Sequence, residues 1–144
     1  MAELEPTEHI ISLSSFAEYD ENELSEIIHK NEGTIDWIKI YEHYKLETSA
    51  LGLYLMGRMH NNGDGVEQNY EKAKYYYEMA AEKGNTDAMN ALGHLYHSGE
   101  GVKRNLKKAV HYYEKAIENG NSDAADKLAD LLSEATKERE NIEA

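Results

Sequence analysis

The chain contains no cysteine and a single proline. Without cysteine there is neither a disulfide framework nor a thiolate metal site. Pro6 stands outside every periodic segment, which suits a chain that is helical through most of its length. Phenylalanine and tryptophan occur once each, against eleven tyrosines. Tyrosine packs its ring and keeps its hydroxyl for water or a hydrogen bond, which fits thin repeat layers better than a thick core. No apolar run approaches the roughly 20 residues that a membrane helix needs. The start, Met1-Ala2-Glu3-Leu4-Glu5, lacks the basic opening and apolar stretch of a secretory leader, so the expectation is a soluble cytoplasmic protein. Positive charge is scarce too: 15 lysines and arginines face 28 acids, a net charge of −13. Residues 1–33 hold nine of those acids against Lys30 alone. Such a chain repels phosphate backbones, which argues against nucleic acid, and would accelerate association with a basic protein.

What is present is a repeat. A shift of 36 residues aligns 52–87 with 88–123 without a gap, and 15 of the 36 positions are identical. The pairs include Gly57/Gly93, Gly63/Gly99, Val66/Val102, Asn69/Asn105, Tyr76/Tyr112, Tyr77/Tyr113 and Gly84/Gly120. A period of this length is the mark of a solenoid. Each unit reads as two helices. Ser49 and Thr86 are candidate N-caps of the first, which stops at the Gly63/Gly65 and Gly99/Gly101 pairs. Asn69 and Asn105 can cap the second, and Gly84 and Gly120 can end it. Leu53, Met56, Gly57 and His60 (then Met89, Leu92, Gly93 and Tyr96) recur at helical spacing, as do Ala73, Tyr76, Tyr77 and Ala80. Glycine inside a helix costs about 1 kcal/mol against alanine, so Gly57 and Gly93 predict a close helix–helix approach.

Degenerate units flank the repeats. Asp20 and Glu23 open a helix carrying Leu24, Ile27 and Ile28 and closed by Gly33, and Ile38 with Tyr41 marks a second helix over 35–47. Ser122 would cap a last helix with Ala124, Leu128, Leu131, Leu132 and Ala135 inward and charges outward, as a terminal cap requires. The expected organisation is a weakly patterned segment 1–15, whose His9–Leu13 stretch could dock on the first layer, then one helical domain over 16–138. That domain comprises a degenerate unit 16–51, repeats 52–87 and 88–123, and a capping helix 124–138, with a charged tail 139–144.

The repeated pattern Ala/Gly-x-x-x-Leu/Met-Gly-x-x-Tyr/His-x-x-Gly-x-Gly-Val-x-x-Asn-x-x-Lys-Ala-x-x-Tyr-Tyr-x-x-Ala-x-x-x-Gly resembles the Sel-one-like repeat (SLR), a relative of the tetratricopeptide repeats. It departs from that pattern at His60, where tyrosine is commoner, and at Asn69 and Asn105, where aspartate is. The resemblance implies an all-α superhelix of antiparallel helix pairs that serves as adaptor or scaffold. It implies that the first helix of each pair lines the concave face, and it names no catalytic residue and no cofactor.

The glycine loops Asn62–Val66 and Ser98–Val102 lack the strand, lysine and Ser/Thr of a phosphate loop and the alternating acids of a calcium loop. They read as tight turns. His94 and His97 share a helix face, but no third ligand is evident for zinc. No nucleophile elbow is present, so an enzyme is not expected. Lys103, Arg104, Lys107 and Lys108 form the one basic patch, a solvated helix face or the seat of an acidic partner. The expected binding face is the concave one. Beside the core positions, Tyr54, Arg58 and Asn61 point into the groove, followed by Asn90, His94 and His97, and then by Asp126, Asp130 and Ser133. The expected ligand is another protein or peptide, of basic character, and self-association is compatible with the same surface. The rival reading is an inhibitor or immunity-type protein that blocks a basic enzyme with its acidic surface.

Overall fold

A computed structural model describes Trp37 and residues 49–143. The expected helices before residue 49 and the His9–Leu13 stretch lie outside the described residues. Five helices follow one another among those described: α1 (Ala50–Asn62), α2 (Tyr70–Glu82), α3 (Thr86–Ser98), α4 (Leu106–Glu118) and α5 (Asp123–Glu143). No strand occurs among the described residues. Each helix packs on the next, and α3 also touches both α1 and α5, so the first helices of successive units share one side of an all-α solenoid. No helix among the described residues is long and apolar enough to cross a membrane.

Local chemistry sets the helix ends. The Ser49 hydroxyl accepts from the Gly52 N–H at 3.1 Å. Asn69 and Asn105 do the same for the amides of Lys72 and Lys108, each at 3.0 Å. The structure corrects two caps. Asn85, not Thr86, accepts from Ala88 N at 2.8 Å, and Asn121, not Ser122, accepts from Ala124 N at 3.2 Å. Both expected caps sit one residue late, because it is the preceding asparagine whose side-chain oxygen accepts from the amide three residues on. At the far end of each first helix, Gly63 and Gly99 take φ of 75° and 77°, a left-handed turn that releases the chain towards the second helix. The last helix runs to Glu143, past the expected end at 138. Lysine, arginine and glutamate are good helix formers, and Arg139 pairs with Glu143 at 3.2 Å.

One core runs through all the layers. Tyr77 and Tyr113 lie across the two helical glycines. A Cβ on Gly57 would sit 2.6 Å from the Tyr77 ring, and one on Gly93 would sit 2.5 Å from that of Tyr113. The expected close approach is therefore a tyrosine ring laid on bare backbone. Ala73, Ala80, Ala109 and Ala116 are fully buried around it, small enough to let second helices close on first.

A second ring contact repeats with one change. Tyr96 stacks on Tyr112 with centroids 5.8 Å apart and planes 3° apart, and in the first repeat His60 stacks on Tyr76 at 5.6 Å and 3°. His60 is only 7% exposed, and its Nδ1 is enclosed without a hydrogen-bond partner. Burial holds its pKa below the usual histidine value. A hydrogen bond donated by the imidazole to the Glu67 backbone carbonyl opposes that shift, and the Lys72 charge adds to it. The unfolded chain then takes up this proton first. The contribution of His60 is complete above about pH 6.5 and is lost as pH falls from there towards its folded pKa. The variant His60→Tyr, which restores the stack of the second repeat, is expected to lose less stability than wild type between pH 7.5 and 5.5 in urea titrations. Equal losses would show that His60 is protonated without cost in the fold.

Candidate functional site

Two of the expected groove residues prove to be interior. Tyr54 and Arg58 are 9% and 7% exposed, so the structure withdraws them from any ready binding surface. Every residue from Leu51 to His60 is buried. The Arg58 guanidinium lies 5.2 Å over the Trp37 ring, and the Tyr54 and Tyr77 rings are 5.9 Å apart. Burial lowers the Arg58 pKa, while the nearby Tyr77, Asp64 and Asp87 oppose that shift. Burial likewise raises the pKa of the Tyr54 phenol, with a further push from Asp87. A signal for this was present in the sequence. Leu51, Leu53, Leu55, Met56 and Met59 spread apolar side chains over most of α1 and leave only the narrow strip of Tyr54, Arg58 and Asn61 polar, whereas the polar face of α3 is wider.

Asn61 and Asn90 are half-buried. Asn61 donates to Asn62 Oδ1 at 2.9 Å, and Asn90 has its Oδ1 enclosed without a hydrogen-bond partner. Asp126, Asp130 and Ser133 are exposed on α5.

Three expected residues do come together. His94, His97 and Asp130 line a cleft of about 380 Å³ between α3 and α5, together with Ser98, Lys127 and Glu134. His97 is its centre. Its Nε2 meets Glu134 Oε2 at 2.8 Å, its Nδ1 faces the Tyr113 hydroxyl at 3.5 Å, and its ring stands edge-on to Tyr113 at 89°. The hydrogen bond from His97 holds the Glu134 carboxyl below its usual range. Burial, with Glu134 and Asp130 nearby, pushes the Tyr113 phenol up to about 12. His94 reaches Glu100 at 3.8 Å, and partial burial and the Lys127 charge lower its pKa against the opposing pull of Glu100. The Ser98 hydroxyl donates to the His94 carbonyl at 2.9 Å, not to an imidazole nitrogen, so the cleft holds no paired serine and histidine. No group of three His, Cys, Asp or Glu among the described residues is placed to hold a metal ion. Glu134 and Lys127 were missed as site residues. Both lie on α5, and only the packing of α5 on α3 brings them to the histidines.

The basic residues gather at a second place. A cleft of about 670 Å³ opens where the start of α2, the end of α3 and the loop into α4 meet, lined by Lys74, Lys103, Arg104, Lys108, Glu71 and Tyr96 among others.

Comparison with known proteins agrees with this architecture. The Sel1 repeat profile matches residues 50–85 and 86–121, two adjoining units that cover the paired helices α1–α2 and α3–α4. No curated protein matched the chain. Among solved structures, a Sel1 repeat protein from Oxalobacter formigenes is 32% identical with a TM-score of 0.59, over 69% of this chain and 46% of that one. A protective antigen of uropathogenic Escherichia coli strains that displays an SLR fold is 30% identical with a TM-score of 0.64, over 77% of this chain and 24% of that one. Cysteine rich protein B of Helicobacter pylori is 28% identical with a TM-score of 0.60, over 69% and 77%. This chain thus spans less than half the length of the first two. Unlike the protein named for its cysteines, this chain contains none. With two profile matches over half its length and helix pairs built to the same plan, the chain belongs to the Sel1 repeat family.

Proposed function

We propose that the protein is a non-catalytic adaptor or regulator that holds a segment of a partner protein in the cleft between α3 and α5. Sel1 repeats are generally modules for protein–protein interaction. The observation that carries the finer reading is the convergence of His94, His97 and Asp130 on that one cleft. The first helices of successive repeats share this side, and it offers hydrogen-bonding groups at the edge of a rigid core. Asp130 and the Glu134 carboxylate outnumber Lys127, so the cleft favours a segment presenting a lysine or arginine. Arginine suits it better, since its planar fork matches a carboxylate.

The test begins by capturing the partner and identifying it by mass spectrometry, after which the purified partner is titrated. Replacing Asp130 by lysine together with His94→Ala is expected to weaken binding at least tenfold, about 1.4 kcal/mol. Lys107→Glu, on α4, should leave it unchanged. Equal affinity for the cleft variant, with a loss for Lys107→Glu, would move the interface to α4.

The net charge of −13 favours a second reading, in which the acidic surface blocks a basic enzyme. Association that is very fast and slows steeply with added salt would select it over the adaptor.

A further inference from the structure

The two repeats build the same loop between their helices from residues of opposite charge. In both, a left-handed glycine ends the first helix, at Gly63 and Gly99. In both, the capping asparagine donates its backbone N–H to the residue nine positions earlier: Asn69 to His60 at 2.8 Å, and Asn105 to Tyr96 at 2.9 Å. Gln68 donates to the Asn61 carbonyl at 2.9 Å, and its counterpart Arg104 donates to the matching His97 carbonyl at 3.1 Å. The backbone solution is thus common to both, and neutral or acidic residues satisfy it. Yet Glu67, Gln68 and Glu71 of the first repeat become Lys103, Arg104 and Lys107 in the second. The fold does not ask for these cations.

It is also an unfavourable place for them. They crowd the N-terminus of α4, the positive end of its dipole, where acids are the stabilising residues. The first turn of α2 contains Glu71, and that of α4 contains no acid. Two neighbours are partly neutralised, Arg104 by Glu138 at 3.1 Å and Lys74 by Glu78 at 2.8 Å. Among the described residues, no ion pair engages Lys103 or Lys107. Lys108 is held with its ammonium 5.1 Å over the Tyr96 ring, at the wall of the cleft. In a chain of charge −13, a hollow lined by four cations and one carboxylate is a local inversion of sign.

We propose that this cleft is a second binding site that takes an acidic peptide segment, its carboxylates seated among Lys103, Lys108 and Lys74 above the Tyr96 ring. A short run of aspartates or glutamates confines its charge to the length of the cleft. A nucleic acid carries charge along its whole backbone and would meet the acidic remainder of the protein. At about 0.1 M salt the Debye length is about 10 Å, so distant acids act weakly while charges in the cleft still act on a seated carboxylate.

The test is fluorescence polarisation at that salt with a labelled eight-residue Asp/Glu peptide and its Asn/Gln counterpart. The full chain should bind the acidic peptide at least tenfold more tightly than the amide peptide. The variant carrying Lys103→Glu, Arg104→Gln and Lys107→Glu, which installs the residues of the first repeat, should bind it at least tenfold more weakly, with an unchanged or higher melting temperature. Lys108→Gln alone should also weaken binding, by roughly threefold or more. Equal affinity for the two peptides, or undiminished binding by both variants, overturns the proposal. So does displacement of the peptide by a single-stranded oligonucleotide at lower concentration than by unlabelled peptide. A lower melting temperature of the triple variant would show that the cations serve the fold, and it too would overturn the inference.

Discussion

Replacing Tyr113 with alanine is expected to destabilise the protein by about 3–5 kcal/mol, the usual cost of removing a buried aromatic ring. Tyr113 is 0% exposed and fills the space between α3 and α4, with its ring on Gly93 and its hydroxyl towards His97. Its loss opens a cavity that a glycine backbone cannot fill. In a domain of this size the melting temperature should fall by roughly 10–20 °C, read by circular dichroism at 222 nm. A fall of only a few degrees would mean that α3 and α4 close on each other without the ring. The substitution also removes one wall of the α3–α5 cleft, so it is unsuited to testing partner binding.

Gly93→Val is the second large effect, expected at about 3 kcal/mol, the upper end of the cost of overpacking. Its Cβ would fall 2.5 Å from Cδ1 and 2.6 Å from Cε1 of Tyr113. That ring is wholly buried and cannot swing away as a flexible surface chain would. The cause can be isolated with a double-mutant cycle. Gly93→Ala alone should destabilise, because even one methyl meets the ring. With Tyr113→Ala already in place, the same change should stabilise by up to about 1 kcal/mol, the helix preference of alanine over glycine. A cost of the same sign in both backgrounds would show that Gly93 is kept for backbone reasons and not for the ring.

Much of the fold was legible because its causes are local. The 36-residue period, the asparagine caps at 69 and 105 and the left-handed glycines depend on residues within a turn or two of one another. The glycine–tyrosine contact was half legible. Glycine in a helix announces a close approach, but not that Tyr77 and Tyr113 are what approaches. The one-residue error at Asn85 and Asn121 arose where two capping residues stand side by side, and only the direction of each side chain separates them.

The candidate cleft was legible only in part. Register along a helix tells which residues share a side, so His94 and His97 could be grouped from spacing alone. It cannot tell what lies over that side. Arg58 and Tyr54 share the same register as the exposed residues of later repeats, yet the Trp37 ring over Arg58 and the burial of α1 place both inside. The pairing of His97 with Glu134, 37 residues apart, depends on how far α5 rotates as it packs on α3. The sequence by itself determined the helices, their order and the small residues that let them close, since these follow from short-range periodicity and backbone sterics. Only the tertiary structure decided which polar residues are enclosed and which meet in a cleft. Those outcomes depend on the relative placement of whole layers, which packing between distant residues sets.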